Sequence, residues 1–166
     1  MYAFAMPRGS GKTTISRMAA LWAISYAHCR YIFMIGATGP KAEKLLGSIK
    51  MWVRFLPDYA LDFPEISQSA IELKGRGNAA NGQLCNKEST LITWAKDEYV
   101  LPTVAPPPNL DLTTYSYYVD SNGVIPEKAL WAPTSGSRIK SSGITGEGIR
   151  GLAHPNLVGP KVYKPG

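Results

Sequence analysis

The chain has 166 residues and a formal net charge of +6, with 45% hydrophobic and 18% charged residues. This length predicts one domain or part of one, and the composition excludes a disordered chain because it supplies enough apolar side chains for a core. No run of residues is long and apolar enough for us to expect a membrane span. The two cysteines, Cys29 and Cys85, lack metal-ligand spacing and indicate reduced thiols.

The charge is distributed unevenly along the chain. Residues 1–54 carry eight Lys or Arg against the single acid Glu43, and residues 129–166 carry five against the single acid Glu147. The middle, residues 55–128, holds five basic and ten acidic residues. Two basic ends are consistent with binding to a nucleotide or a nucleic-acid backbone, although solvated lysines explain them equally well.

The first motif in chain order is the stretch MPRGSGKTT, residues 6–14. It lies between a strand candidate, residues 2–5, and a helix predicted over residues 13–28. A glycine-bearing loop between a strand and a helix offers backbone N–H groups and the positive end of the helix dipole to an anion. The pattern therefore predicts a phosphate-binding loop.

Each residue of this loop has an expected role. Lys12 would reach the β- and γ-phosphates, and the Thr13 hydroxyl would be a ligand of Mg²⁺. The residues expected to contact the phosphates are Gly9, Ser10, Gly11, Lys12, Thr13 and Thr14. Met6 stands where the signature G-x-x-x-x-G-K-[ST] has its first glycine, so the signature is incomplete. A surface turn that happens to read GSGKT is the alternative.

The next elements predict an α/β fold. The helix over residues 13–28 is apolar nearly all round, and we expect it to be buried against a sheet. Residues 31–37 form a second apolar run, typical of a strand, and Pro40 opens an amphipathic helix. Its apolar side carries Ala42, Leu45, Leu46, Ile49 and Val53, and its polar side is expected to carry Lys41, Lys44 and Lys50. Strand, helix, strand and helix in succession predict a parallel sheet.

The rest of the chain is less regular. Pro57 and Pro64 are interpreted as breaks, and residues 74–87 as an exposed loop. Two strand-like pieces, residues 91–94 and 99–101, precede a proline-rich surface insertion at about residues 105–133. Residues 137–140 alternate as a strand does, and a glycine-punctuated loop follows.

Five of these stretches, in this order, resemble the ATPase domain of tailed-phage large terminases, which are DNA-packaging motors. They are PRGSGKT (7–13), the strand at 32–37, FPE (63–65), YVLPT (99–103), and GITG (143–146) leading into IRG (149–151). The resemblance extends from residue 1 to about 158. It implies a RecA/ASCE-type P-loop NTPase fold over residues 1–158, with 159–166 as an irregular tail.

The resemblance also implies a function. The family's loop lacks the first glycine, as this chain does at Met6, and carries an arginine where Arg8 stands; that arginine is thought to act on the γ-phosphate. The implied cofactors are ATP and Mg²⁺, with Arg8 and Lys12 as catalytic residues. The implied partners are double-stranded DNA, the portal, the small terminase subunit and other copies in a ring, in the host cytoplasm.

The chain departs from the family after the IRG stretch. The family continues with an apolar strand that ends in two acids, whereas this chain reads PNLVGPK over residues 155–161. Without that carboxylate, nothing holds Mg²⁺ from the second side, unless Asp97 and Glu98 substitute. The family's nuclease domain has no counterpart either. We therefore expect an N-terminal piece of a motor, with weak or no hydrolysis.

Two other function classes stay open. One is a small kinase or GTPase in which Asp97 or Asp111 takes the role of the acid. The other is a non-catalytic module whose basic ends contact DNA or a partner subunit.

Overall fold

The computed structural model describes residues 7, 9–104 and 132–144, and over these residues the protein has a mixed α/β fold. The helices are α1 (Lys12–Ser25), α2 (Gly39–Phe55), α3 (Pro57–Asp62) and α4 (Pro64–Glu72), with a short 3₁₀ helix at Gly77–Gly82. The strands are β1 (Tyr31–Gly36), β2 (Leu84–Cys85), β3 (Glu88–Ser89), β4 (Thr93–Trp94), β5 (Glu98–Val100) and β6 (Arg138–Gly143).

The main sheet has four strands in the order β1-β6-β5-β4. Strands β1 and β6 are parallel, from Tyr31 opposite Arg138 to Gly36 opposite Gly143. Strand β5 is antiparallel to both β6 and β4. Among the described strands, the expected parallel pairing is therefore present only between β1 and β6. The short connection between β4 and β5 accounts for their antiparallel pairing, because three residues suffice for a hairpin but not for a parallel crossover.

The core lies between α2 and the sheet. Ala42, Leu46, Ile49 and Val53 follow one another at helical spacing along α2 and are fully buried. Leu46, Ile49 and Val53 pack in one cluster with side chains of the sheet, of α4 and of α1; the buried members from these elements are Tyr99, Ile139, Ile66, Ala70, Leu21 and Ile24. Each fully buried Leu or Ile contributes roughly 1.5–3 kcal/mol through removal of apolar surface from water.

Two glycines bring the start of α2 against the carboxyl ends of the parallel strands. Gly36 and Gly143 lie opposite each other in the register. A Cβ at Gly36 would lie 2.6 Å from the Ala42 nitrogen, and one at Gly143 would lie 2.6 Å from the Gly39 nitrogen. Larger residues at either position would push helix and sheet apart.

The burial expected for α1 is wrong for one side of the helix. Leu21 and Ile24 are buried, but a stripe of large side chains on the opposite side is more than half exposed: Ile15, Met18, Trp22 and Tyr26. Among the described elements, α1 packs mainly on α2 and β1, so one side of it has most of the contacts, and on the other side the ring of Tyr26 contacts the ring of Phe63. Its nearly uniform apolarity did not distinguish the two sides.

Other expectations were wrong for identifiable reasons. Lys50 lies on the buried side of α2, with 7% of its surface exposed, instead of on the polar side. Pro57 and Pro64 do not only end elements: each is the first residue of a helix, α3 and α4. Proline suits this position because its fixed φ is helical and no N–H is required there.

No helix within residues 9–104 is long and apolar enough to cross a membrane. The strand candidate at residues 2–5, nearly all of the insertion at 105–133, and the tail lie outside the described residues.

Candidate phosphate-binding loop

The loop before α1 depends on two glycines in the left-handed region. Gly9 has φ 85° and Gly11 has φ 77°, a conformation that costs residues with a Cβ roughly 1–2 kcal/mol. Apart from the neighbouring residues, no described heavy atom lies within 4 Å of a Cβ built at either position. The backbone conformation, and not a contact with another described residue, therefore requires glycine here.

The Pro7 carbonyl accepts the hydrogen bonds that hold the loop together. It accepts hydrogen bonds from the Ser10 backbone N–H at 3.4 Å, from Ser10 Oγ at 2.8 Å and from Lys12 Nζ at 2.7 Å. The Lys12 ammonium is thus folded back over the loop. An ammonium carries three donors, and an anion bound in the loop would compete with the Pro7 carbonyl for one of them.

The beginning of α1 lacks the usual neutralising groups. Gly11 is its N-cap residue, no side chain caps it, and its first turn contains no acid. Helix N-termini carry a partial positive charge from their N–H groups. At this end of α1 the described residues add a further positive charge, Lys12, and no negative one.

The threonines that follow Lys12 differ in their contacts. The Thr14 hydroxyl accepts a hydrogen bond from Arg17 Nη2 at 3.4 Å, and the Thr13 carbonyl accepts one from Arg17 Nε at 3.1 Å. Thr13 is exposed, and no hydrogen bond with another described side chain occupies its hydroxyl. Thr13 is therefore the better placed of the two to bind a metal ion held by phosphates.

A cavity of about 380 Å³ lies beside the start of α1. Lys12, Thr13, Ser16 and Arg17 form its polar side, and the apolar side comes from β1 and α2: Ile32, Phe33, Met34, Ile35 and Leu45. The lining residues that the structure describes include two cations and no acid. Sequence reasoning missed Arg17, whose signal was its position one helical turn after Thr13.

Asp97 and Glu98 lie elsewhere. Glu98 pairs with Arg138 at 3.3 Å between carboxylate and guanidinium, and the Asp97 carbonyl accepts the Ser141 backbone N–H at 2.8 Å. Neither residue lines the cavity that contains Lys12 and Thr13. No group of three His, Cys, Asp or Glu side chains that could hold a metal ion occurs in the described part of the chain.

The structure thus places Gly9, Ser10 and Gly11 in the loop, and Lys12, Thr13 and Thr14 in the first turn of α1. Three further candidates, Arg8, Asp111 and Arg150, lie outside the described residues. Comparisons of the chain with protein-family models, with curated proteins and with solved structures returned no match.

Proposed function

We propose that residues 9–14 bind the phosphates of ATP or ADP together with Mg²⁺. The observation that carries this proposal is the pair of left-handed glycines immediately before α1, whose first residue, Lys12, folds its ammonium over the loop. This arrangement gathers backbone N–H groups, the helix dipole and one cation, which are the groups that bind a phosphate chain. Thr13 would bind Mg²⁺ from the protein side, with phosphate oxygens supplying further ligands.

We further propose that the chain is the ATP-binding portion of a phage DNA-packaging motor, a terminase large subunit, with weak or no hydrolysis. This part rests on the resemblance of the five ordered stretches, above all on Arg8 in a loop without its first glycine. Double-stranded DNA, a portal, a small terminase subunit and a ring of copies are the partners that the resemblance implies.

The test is the affinity for nucleotide, measured by calorimetry in Mg²⁺ with ADP and with a non-hydrolysable ATP analogue. Lys12→Ala removes a charge-assisted contact and should cost a few kcal/mol, roughly 100-fold in affinity. Lys74→Ala, a change of an exposed lysine outside the loop, is the matched control and should change nothing. Equal affinities of the wild type and Lys12→Ala would show that the loop does not bind phosphates.

A further inference from the structure

A second cleft lies between α2 and the β4–β5 hairpin, away from the phosphate-binding loop. Its volume is about 510 Å³, within the range of small-molecule sites. One side is a face of α2, and the other is the loop at Gly75 with the hairpin; the lining residues that matter here are Lys44, Gly47, Lys50, Trp94 and Lys96. Gly47 contributes no side chain, and no described heavy atom lies within 4 Å of a Cβ built there, so α2 leaves room at this point of the lining.

Lys50 is the buried lysine in the lining of this cleft. Its Nζ donates hydrogen bonds to the Ala95 carbonyl and, at 3.1 Å, to the Glu98 carbonyl. The same nitrogen lies 5.0 Å from the centre of the Trp94 ring. Burial lowers the pKa of Lys50 to about 8, although the nearby carboxylates of Asp97 and Glu98 act to raise it.

The two hydrogen bonds of Lys50 can be made by a neutral amine as well as by an ammonium. A neutral amine has two N–H groups, one for each of the two carbonyls, so loss of a proton breaks neither bond and leaves a lone pair. The charged groups around it are Glu43 and Lys44 from α2, and Lys96, Asp97 and Glu98 from the hairpin. Lys44 and Lys96 are exposed cations in the lining, in position to attract an anionic group that enters the cleft.

We propose that this cleft binds small aldehydes that carry a phosphate, and that Lys50 condenses with them to an imine. The neutral Nζ attacks the carbonyl carbon and forms the C–N bond. The carbonyl oxygen then leaves as water after proton transfer, which gives a reversible C=N bond without any oxidant or reductant. The protonated imine keeps one N–H for one of the two backbone carbonyls, while Lys44 and Lys96 hold the phosphate.

The experiment treats the full chain with pyridoxal 5′-phosphate at pH 7.4, reduces the product with borohydride and maps the modified peptides by mass spectrometry. With a pKa of about 8, roughly 20% of the Lys50 amine is neutral at this pH, against about 0.1% for a lysine of pKa near 10.4. We expect Lys50 to be modified at least tenfold faster than the exposed Lys74 and Lys87. Added Mg·ADP should protect Lys12, but it should not protect Lys50.

The subsite proposed for the phosphate, formed by Lys44 and Lys96, is tested by a separate variant. Lys96→Met should slow the modification of Lys50 by pyridoxal 5′-phosphate several-fold and leave the slower reaction with pyridoxal, which has no phosphate, unchanged. Lys74→Met should alter neither rate. If Lys50 is not modified while the exposed lysines are, the hairpin keeps the aldehyde away from the amine and the proposal is wrong. Equal rates with the two aldehydes would exclude the phosphate subsite and overturn the proposal as stated.

Discussion

The backbone conformation of Gly11 sets the direction in which the chain enters helix α1. Its φ of 77° belongs to the left-handed region, so Gly11→Ala should lower stability by about 1–2 kcal/mol and weaken nucleotide binding as well. The matched control is Gly47→Ala, in the interior of α2, where an added Cβ meets nothing within 4 Å. That change should raise stability by about 0.5–1 kcal/mol. Urea unfolding of both variants measures these two changes in stability. A lower stability of Gly47→Ala together with a higher stability of Gly11→Ala would contradict the prediction.

The prediction for Arg8 concerns the γ-phosphate and follows from the sequence resemblance. An arginine stays charged and presents a planar fork to phosphate oxygens. Arg8→Ala should therefore weaken the binding of a non-hydrolysable ATP analogue more than that of ADP, by about 1–3 kcal/mol. Arg150→Ala should leave the nucleotide affinity of the monomer unchanged, because that residue is expected to act on a neighbouring subunit. Titrations at one salt concentration decide the matter, and equal losses for the two nucleotides would exclude this role for Arg8.

At the scale of elements, Lys50 makes the contact between α2 and the hairpin depend on pH. Its pKa in the folded protein, about 8, lies below its ordinary value of 10.5. Between these values the unfolded chain binds more protons at this position than the folded chain, so stability should rise with pH. Burial raises the pKa of Tyr59 and Tyr99, which adds the opposite slope above pH 10. The effect of Lys50 on stability can therefore be measured separately from that of the tyrosines between pH 8 and 9.5.

Urea unfolding across that window should show a rise of about 1 kcal/mol from Lys50, after allowance for solvent screening of its partly exposed ammonium. Lys50→Met should remove this rise, whereas Lys44→Met, which changes an exposed lysine on the same helix, should retain it. The same pH dependence in the wild type and in Lys50→Met would show that the burial of Lys50 does not govern the stability of this contact.

The elements differ in how far the sequence determined them. Strand β1 and helix α2 were predicted correctly because their apolar patterns are long and regular, and α2 differs from its prediction mainly at Lys50. That lysine is buried because two backbone carbonyls of the hairpin accept its hydrogen bonds, and these partners are 45 and 48 residues away. The loop of Gly9 and Gly11 was predicted because its conformation is a local property of glycine. Helices α3 and α4 were missed because the prolines at their first positions were interpreted as breaks.

At the scale of the whole molecule, pairing between distant segments decides the sheet. The sequence indicated strands near residues 91–101 and 137–140, but it did not indicate that β5 would lie antiparallel between β4 and β6. Local periodicity identifies strands, whereas their neighbours depend on tertiary packing. The consequence for the candidate site is direct, since the pairing of β5 with β6 turns the Glu98 carboxylate toward Arg138.

That placement leads to a prediction about the turnover of ATP by the chain as a whole. Phosphoryl transfer depends on charges placed around Mg²⁺ and the γ-phosphate, and on a group that orients the attacking water. Lys12 and Thr13 line the cavity beside α1, but Asp97 and Glu98 do not. Residues 155–161, where the resemblance leads us to expect two acids, contain none. We therefore expect nucleotide binding with turnover far below the roughly 1 s⁻¹ of competent phosphoryl-transfer enzymes.

A coupled assay with and without double-stranded DNA measures this turnover, with Lys12→Ala as the background. Turnover near 1 s⁻¹ that is lost in Asp97→Ala or Glu98→Ala would mean that one of these acids reaches the nucleotide, and that the β5–β6 pairing rearranges when it binds.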